Sequence, residues 1–473
     1  MGIDDLLVQC ADVNDTVKNY ASRDLSVAEF LKEEAKRAKR NREIKSLFAP
    51  DDYIELTLDY LKENLTDEPD INEALSAVED SLKTALAVNT ADHHGGIYCA
   101  QSFQGDILFK RILEENGSNS RYVPIFPTGI VELQNSTYAR GICIYADRDE
   151  KKFLPIFPAK EYMRLACVTQ SIKPDVTDRM RKIAREFKGD INEALNRIIN
   201  DIYSSSELFE MKDFSTQTLK IGKLLSEMIF GDEGPVFLYI EFEELITELL
   251  CREMYDESSY VYKVLYDKGV RERLSDVAKK LFVAVDDKGR KIELTLSHEG
   301  KLIGYNKHKN KTELNTDRES LIKLLRERRL FPSTALSVIV MFFERGITWY
   351  GGMFQSLYLP HWQKELCEAF WASGYVDEAE HIISYDARGY ICGPFACNYK
   401  AKDHLSCAGP VEFIMQPIAY DEFKRQTESV SMYDAHLLGL CEMYYDLIPG
   451  NERSKDWYRH ITTGNYKRFI QDD

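Results

Sequence analysis

Between residues 84 and 126 the hydrophobic period changes twice, and that change restricts the chain more than any other feature. Residues 84–88 form an apolar run, and the polar cluster Asn89-Thr90-Ala91-Asp92-His93-His94-Gly95-Gly96 follows. Residues 106–113 then carry apolar side chains at helical spacing, and Tyr122-Val123-Pro124-Ile125-Phe126 returns to an extended pattern. Strand, polar turn, helix and strand in that order make a β-α-β unit, whose parallel strands need helices on their faces. The fold class is therefore α/β: a Rossmann-like β-α-β core, a large helical remainder and a small β-meander insertion.

Periodicity divides the rest of the chain. Residues 1–83 are charged and helical, with helices predicted over 25–47 and 51–64 and a third opening at Asp70. Residues 84–170 hold the core and its His-His-Gly turn. Within them 129–133 and 141–145 read as further extended runs, and Val123-Pro124-Ile125-Phe126-Pro127 is echoed by Leu154-Pro155-Ile156-Phe157-Pro158. Residues 171–280 are helical, most firmly at 190–201, 216–230 and 241–255. Residues 281–305 spell a three-stranded meander with turns at Asp286-Asp287-Lys288-Gly289 and His298-Glu299-Gly300. Residues 306–473 are mainly helical, include the continuous apolar run 333–343, and contribute a Gly-Gly loop.

Charge narrows the partners. Lys and Arg number 61 against 78 Asp and Glu, a net −17, which opposes nonspecific binding to nucleic acid or to an anionic membrane. The basic run 32–42 reads as a solvated helix face. Met1-Gly2-Ile3-Asp4-Asp5 has neither a basic n-region nor an apolar h-region, and no apolar run approaches the roughly 20 residues that span a bilayer. A cytoplasmic protein with a small-molecule substrate is expected, a homo-oligomer is left open, and no cofactor is specified. The ten cysteines read as reduced and buried.

The polar turn is the first candidate site. In open α/β sheets such turns form the ligand crevice at the carboxyl ends of the strands. His93 and His94 can donate, accept or shuttle protons there. Gln101 and Gln104, in Gln101-Ser102-Phe103-Gln104-Gly105, can orient a ligand. In Asn135-Ser136-Thr137-Tyr138-Ala139-Arg140, Asn135 offers an amide and Arg140 a fork for a carboxylate or phosphate, and an Asx or ST turn with Arg140 on a surface acid is the alternative. Around Gly351 and Gly352, a glycine pair among aromatics reads as a loop closing over a small ligand, with Gln355, Tyr358 and His361 as polar contacts; a packed helix break is the other reading. Cys392, Cys397, His404 and Cys407 are soft ligands, but their gaps of four, six and two residues fit a structural zinc site poorly, so no metal is expected there.

Two family resemblances attach to the turn. Asp92-His93-His94 resembles the Asp-His-His signature of a phosphoesterase superfamily that binds two manganese ions, although no upstream Asp-x-Asp accompanies it. The order strand, Thr-x-x-His-x-Gly turn, Leu-Phe-Lys helix, Val-Pro-Ile-Phe strand over residues 84–127 resembles the opening of the cysteine-adding enzyme of bacillithiol biosynthesis. That enzyme's turn carries Thr-Gly-Gln-Gln before a helix and a Val-Pro-Val-Phe strand. Thr90 falls in register; His93 and His94 stand in place of the glutamines, and no Glu-Asp-His-Asp segment follows the second strand. The resemblance implies a Rossmann-like core and an amine- or thiol-joining reaction. The leading expectation is a biosynthetic enzyme of transferase or ligase type acting on a small amino-acid-like or carboxylated metabolite, with His93 and His94 in acid/base work. A metal-dependent hydrolase built on Asp92, His93 and His94, and a noncatalytic ligand-binding or assembly protein, are the alternatives.

Overall fold

In the computed structural model of the protein, residues 2–66, 68–91, 97–134 and 141–471 are described. The chain is mixed α/β, and its centre is a five-stranded parallel sheet. Strands β1 (Ala87–Asn89), β2 (Tyr122–Ile125), β3 (Val236–Tyr239), β4 (Thr348–Gly352) and β5 (Tyr390–Cys392) pair in the order β5-β4-β1-β2-β3. All four pairings are parallel.

Side chains alternate across this sheet, so each strand feeds two cores. Ala87, Val123, Ile125, Phe237, Tyr239 and Tyr350 enter one; Val88, Tyr122, Val236, Leu238 and Trp349 enter the other. Helices α1 (Ala100–Glu115) and α2 (Phe214–Phe230) cover the first side, bringing Ile107, Leu108, Ile221 and Leu225. Helix α3 (Gln355–Ala372) and the apolar run 334–343 cover the second. The chain lays down β1, β2 and β3 outward in one direction, then returns to add β4 and β5 beyond β1. Helices change sides where the strand order reverses, between β1 and β4, as right-handed crossovers produce.

Local sequence explains how these elements sit. Asp213 caps α2 by accepting from Thr216 N at 2.9 Å. Gly222 lies in mid-helix, where a Cβ would overlap the Tyr239 ring, so the residue that weakens the helix intrinsically lets it approach β3. A buried polar network ties the layers together: Asn89 Nδ2 donates to Asp106 Oδ1 at 2.7 Å, and the Tyr239 hydroxyl donates to Asp106 Oδ2 at 2.6 Å. β1, α1 and β3 thus share one carboxylate.

Several expectations change in detail. Three of the five central strands come from residues 236–392, beyond the 84–170 segment read as the core. Residues 141–144 pair instead with Lys152–Pro155 as a separate antiparallel ribbon. Residues 129–133 form no strand, only the isolated bridge Glu132 to Leu165. The meander strands Phe282–Val285, Lys291–Leu296 and Lys301–Tyr305 are joined by Lys311–Asn315 and Leu330–Pro332 into a five-stranded antiparallel sheet. The run 333–343 is buried helix, Thr334–Val338 continuing into a π-helical turn Ile339–Phe343. Gly351 and Gly352 close strand β4 rather than forming a loop, because Thr348, Trp349 and Tyr350 pair fully with β1. No helix among the described residues is long and apolar enough to cross a membrane.

Candidate functional site

Because all five strands run the same way, their carboxyl ends meet at one edge of the sheet, and a cavity of about 290 Å³ opens there. Its wall collects the residues that follow or end the strands: Thr90 and Ala91 after β1, Thr128 after β2, Gly352 at the end of β4, Cys392 at the end of β5. Phe242 and Trp349 form an apolar side, ring centroids 5.2 Å apart at 75°.

The two crossover helices flanking the strand-order reversal both begin at this cavity. Cys99, Gln101 and Ser102 come from the start of α1, and Phe354 and Gln355 from the start of α3. Among the described residues, neither N-cap residue, Cys99 nor Phe354, caps its helix with its own side chain. The Ala100 N–H, first in α1, donates to the Tyr145 hydroxyl at 3.0 Å, and the positive ends of both helix dipoles lie at the cavity, which favours an anionic group there.

Part of the cavity wall is acidic. Glu442 and Asp446 lie one turn apart on the helix Leu440–Leu447 and both line the cavity. Glu442 takes the Lys151 ammonium at 2.8 Å. Burial opposes the Lys151 charge, but Glu442 outweighs it and holds the ammonium above the usual lysine range. Burial, reinforced by the neighbouring Glu442, pushes the Asp446 carboxyl well above the usual carboxylate range. Among the described residues its Oδ1 has no hydrogen-bond partner. Asp446 therefore holds a proton more readily than an exposed carboxylate does.

Thr90 and Gln355 lock the two strand ends together. Gln355 Nε2 lies 3.0 Å from Thr90 Oγ1, and Thr90 N donates to Tyr350 O at 3.0 Å. Gly351 is required here: a Cβ would overlap the Gln355 amide. Gln101 Nε2 donates to Cys392 O at 3.3 Å, joining α1 to β5. Cys99 Sγ lies 3.7 Å from Cys143 Sγ, and that hydrogen bond together with burial pushes the Cys99 thiol up, which makes it a poor nucleophile.

Gln101, Gly352, Gln355 and Tyr358 thus line the cavity, and Gly351 backs it. Burial raises the Tyr358 hydroxyl, and its ring packs on Trp362 at 4.6 Å. Gln104 does different work. It is fully buried and its amide donates to Cys397 O and Ala408 O and accepts from Ala396 N and Cys397 N. His361 is exposed on α3 and pairs with Glu365 at 3.0 Å. His93, His94, Asn135 and Arg140, with Asp92, lie outside the described residues.

The four soft ligands near the C-terminus have separate partners. Cys397 Sγ donates to Gln426 Oε1 at 2.7 Å, Cys407 Sγ to Leu438 O at 3.6 Å, and His404 Nε2 lies 3.1 Å from Ala146 O, while Cys392 faces the cavity. No group of three His, Cys, Asp or Glu side chains suited to a metal occurs among the described residues.

Sequence reasoning passed over Trp349, Phe242, Glu442 and Asp446. A signal existed for the last two: carboxylates four residues apart repel on a helix surface, yet these sit among Leu440, Cys441, Met443 and Tyr444. No protein-family model, no curated protein and no solved structure matches this chain.

Proposed function

We propose that this chain is a biosynthetic enzyme of transferase or ligase type whose substrate is a small amino-acid-like metabolite bound in the cavity at the carboxyl ends of β1, β2, β4 and β5. One observation carries the reading: the starts of two helices and two carboxylates, Glu442 and Asp446, line one cavity of about 290 Å³. That polarity suits a zwitterion, its carboxylate toward the helix starts and its ammonium toward Asp446 and Glu442. The strand order β5-β4-β1-β2-β3 supports a Rossmann-like core, which binds ligands where the order reverses. The resemblance of residues 84–127 to the cysteine-adding enzyme adds to it, since Thr90, the residue in register, lines the cavity.

In this reading His93 and His94, two and three positions after Ala91 in the sequence, do acid/base work and Arg140 clamps an anion. Gln101 and Gln355 orient the ligand, and Asp446 exchanges a proton with its amine. The test is thermal shift of the purified protein against the twenty amino acids and their amides, with metabolites released from the native protein identified by mass spectrometry. An amine- and carboxylate-bearing ligand should raise the melting temperature, and Asp446→Asn should lose most of that increment. A protein that responds only to divalent metal, or to ligands lacking an amine, would defeat the proposal.

A further inference from the structure

A second concave site lies away from this cavity, where the 3-10 turn Ala159–Glu161 meets the turn between the strands Phe282–Val285 and Lys291–Leu296 of the antiparallel sheet. About 230 Å³ is lined by Lys160, Arg164, Lys288, Arg290 and a single acid, Glu161. In a chain of net charge −17, four cations around one carboxylate is an anomaly. Among the described residues Glu161 reaches only Arg164, at 3.8 Å. Lys160, Lys288 and Arg290 make no ion pair among the described residues.

Asp286 Oδ1 accepts from Lys288 N at 2.8 Å and Arg290 N at 2.9 Å, so it is spent on closing the turn. The backbone is fixed as well. Leu165 N donates to Gly289 O at 2.8 Å, Arg164 and Arg290 are bridge partners, and Gly289, at φ +71°, leaves the Arg164 stem room to cross the turn. Four cations facing one carboxylate, carried on backbone held by these contacts, leave an excess of positive charge for an anion to meet.

We propose that this pocket binds a compact, multiply charged phosphate group, of diphosphate or triphosphate size, either free or as the tail of a nucleotide. The inference stands apart from the proposed enzyme function. It also has a route to the first cavity: the segment 164–167 that carries Arg164 hydrogen-bonds the segment 129–133 through Leu133 N to Arg164 O, Ala166 N to Val131 O and Cys167 N to Gly129 O. Val131 and Thr128 line that cavity. Occupancy of the basic pocket should therefore steady one of its walls.

The experiment is titration calorimetry of the full chain with inorganic tripolyphosphate, against sodium chloride at matched ionic strength, in wild type, in Lys288→Gln/Arg290→Gln, and in Lys36→Gln/Lys39→Gln. The last pair removes the same charge from an exposed face of the helix Val27–Glu43. Saturable binding at one site is expected, weakened about tenfold or more in Lys288→Gln/Arg290→Gln and unchanged in the control pair. Hydrogen exchange should slow at 164–167 and 129–133 when tripolyphosphate is added to wild type. A nucleoside triphosphate that binds more tightly than tripolyphosphate identifies a nucleotide as the source, and equal affinity identifies the phosphate group alone. No saturable binding, equal losses in both double variants, or undiminished binding in Lys288→Gln/Arg290→Gln with a wild-type melting temperature would overturn the proposal.

Discussion

The two five-stranded sheets of this protein treat water in opposite ways. Every residue of β1, β2, β3 and β5 is buried, whereas Lys291–Leu296 and Lys301–Tyr305 alternate buried with part-buried or exposed positions and Lys311–Asn315 alternates part-buried with exposed ones. A parallel sheet covered on both faces by its crossover helices can meet a ligand only at its ends, and there the cavity opens. An antiparallel sheet with one wet face carries its charge on that face and in its turns, where the basic pocket lies. Carboxylates obey the same division. Glu412, buried beside the first core, is pushed up to about 7 by desolvation, although Tyr145 N, Ala146 N and Gly409 N all donate to it. Glu313, on the wet face, is lowered to about 2 by hydrogen bonds from Lys301 and Lys311.

The largest test of this contrast is truncation of one aromatic in each sheet. Trp349 is 1% exposed and fills the space between β4 and Phe242, while Tyr305 is 62% exposed on the antiparallel sheet. Trp349→Ala should destabilise by about 3–5 kcal/mol through the cavity it leaves. Tyr305→Ala should stay within about 0.5 kcal/mol of wild type. Urea denaturation midpoints of both variants decide it, and similar losses would erase the distinction.

A pH series probes the carboxylates. The folded state raises the Glu412 pKa from 4.5 to about 7, so it binds the proton more tightly than the unfolded chain does. The stabilisation is therefore complete below about 4.5 and is lost as pH rises through about 7. Glu412→Gln keeps the neutral form at every pH. Relative to this variant, wild type should lose about 3 kcal/mol between pH 4.5 and 8, an order-of-magnitude figure from the size of the shift. Identical pH slopes for the two proteins would show that Glu412 does not carry the effect.

A smaller loss is expected at the carboxylate shared by β1, α1 and β3. Asp106→Asn leaves one acceptor where Asn89 Nδ2 and the Tyr239 hydroxyl both donate, and sets an amide N–H against one of those donors. The cost should be about 1–3 kcal/mol. Tyr239→Phe in the same background then tests the geometry, because removing the stranded donor should recover part of that loss.

The contrast also explains what could be read in the sequence. The unit β1-α1-β2 was legible because strand, helix and strand follow one another within forty residues and the period changes at each junction. The meander was legible from its glycine-ended turns, Asp286-Asp287-Lys288-Gly289 and His298-Glu299-Gly300, and from its alternation. Strands β3, β4 and β5 were hidden, since a three- to five-residue run buried on both faces has no period of its own; β3 fell inside a region read as helical, and neighbouring Gly-Gly or Cys residues drew β4 and β5 into a loop reading. At the site, Gln101 and Gln355 were visible as polar residues at the edges of apolar runs. Gln104 carried the same signal, yet its amide serves backbone groups on the segment after β5. Glu442 and Asp446 reach the cavity from a helix some 350 residues from β1 in sequence, a pairing that only tertiary packing makes.

The smallest effect belongs to the wet face, and its smallness is the informative result. Glu313 receives Lys301 and Lys311, both at 2.5 Å, and all three side chains are about a third to a half exposed. Exposed pairs of this kind gain little, since water screens the attraction and each long side chain loses rotamer freedom in holding one geometry. Glu313→Ala should lower the melting temperature less than any substitution above. What difference remains should vanish in about 1 M salt, where the Debye length falls to roughly 3 Å. The pH dependence has the opposite sign to that of Glu412: a carboxylate lowered from 4.5 to about 2 stabilises the fold above 4.5 and loses that contribution as pH falls through about 2. A Glu313→Ala loss as large as that of Asp106→Asn, or one that persists in high salt, would mean that this face is not solvated as its alternation indicates, and the division between the two sheets would fail there.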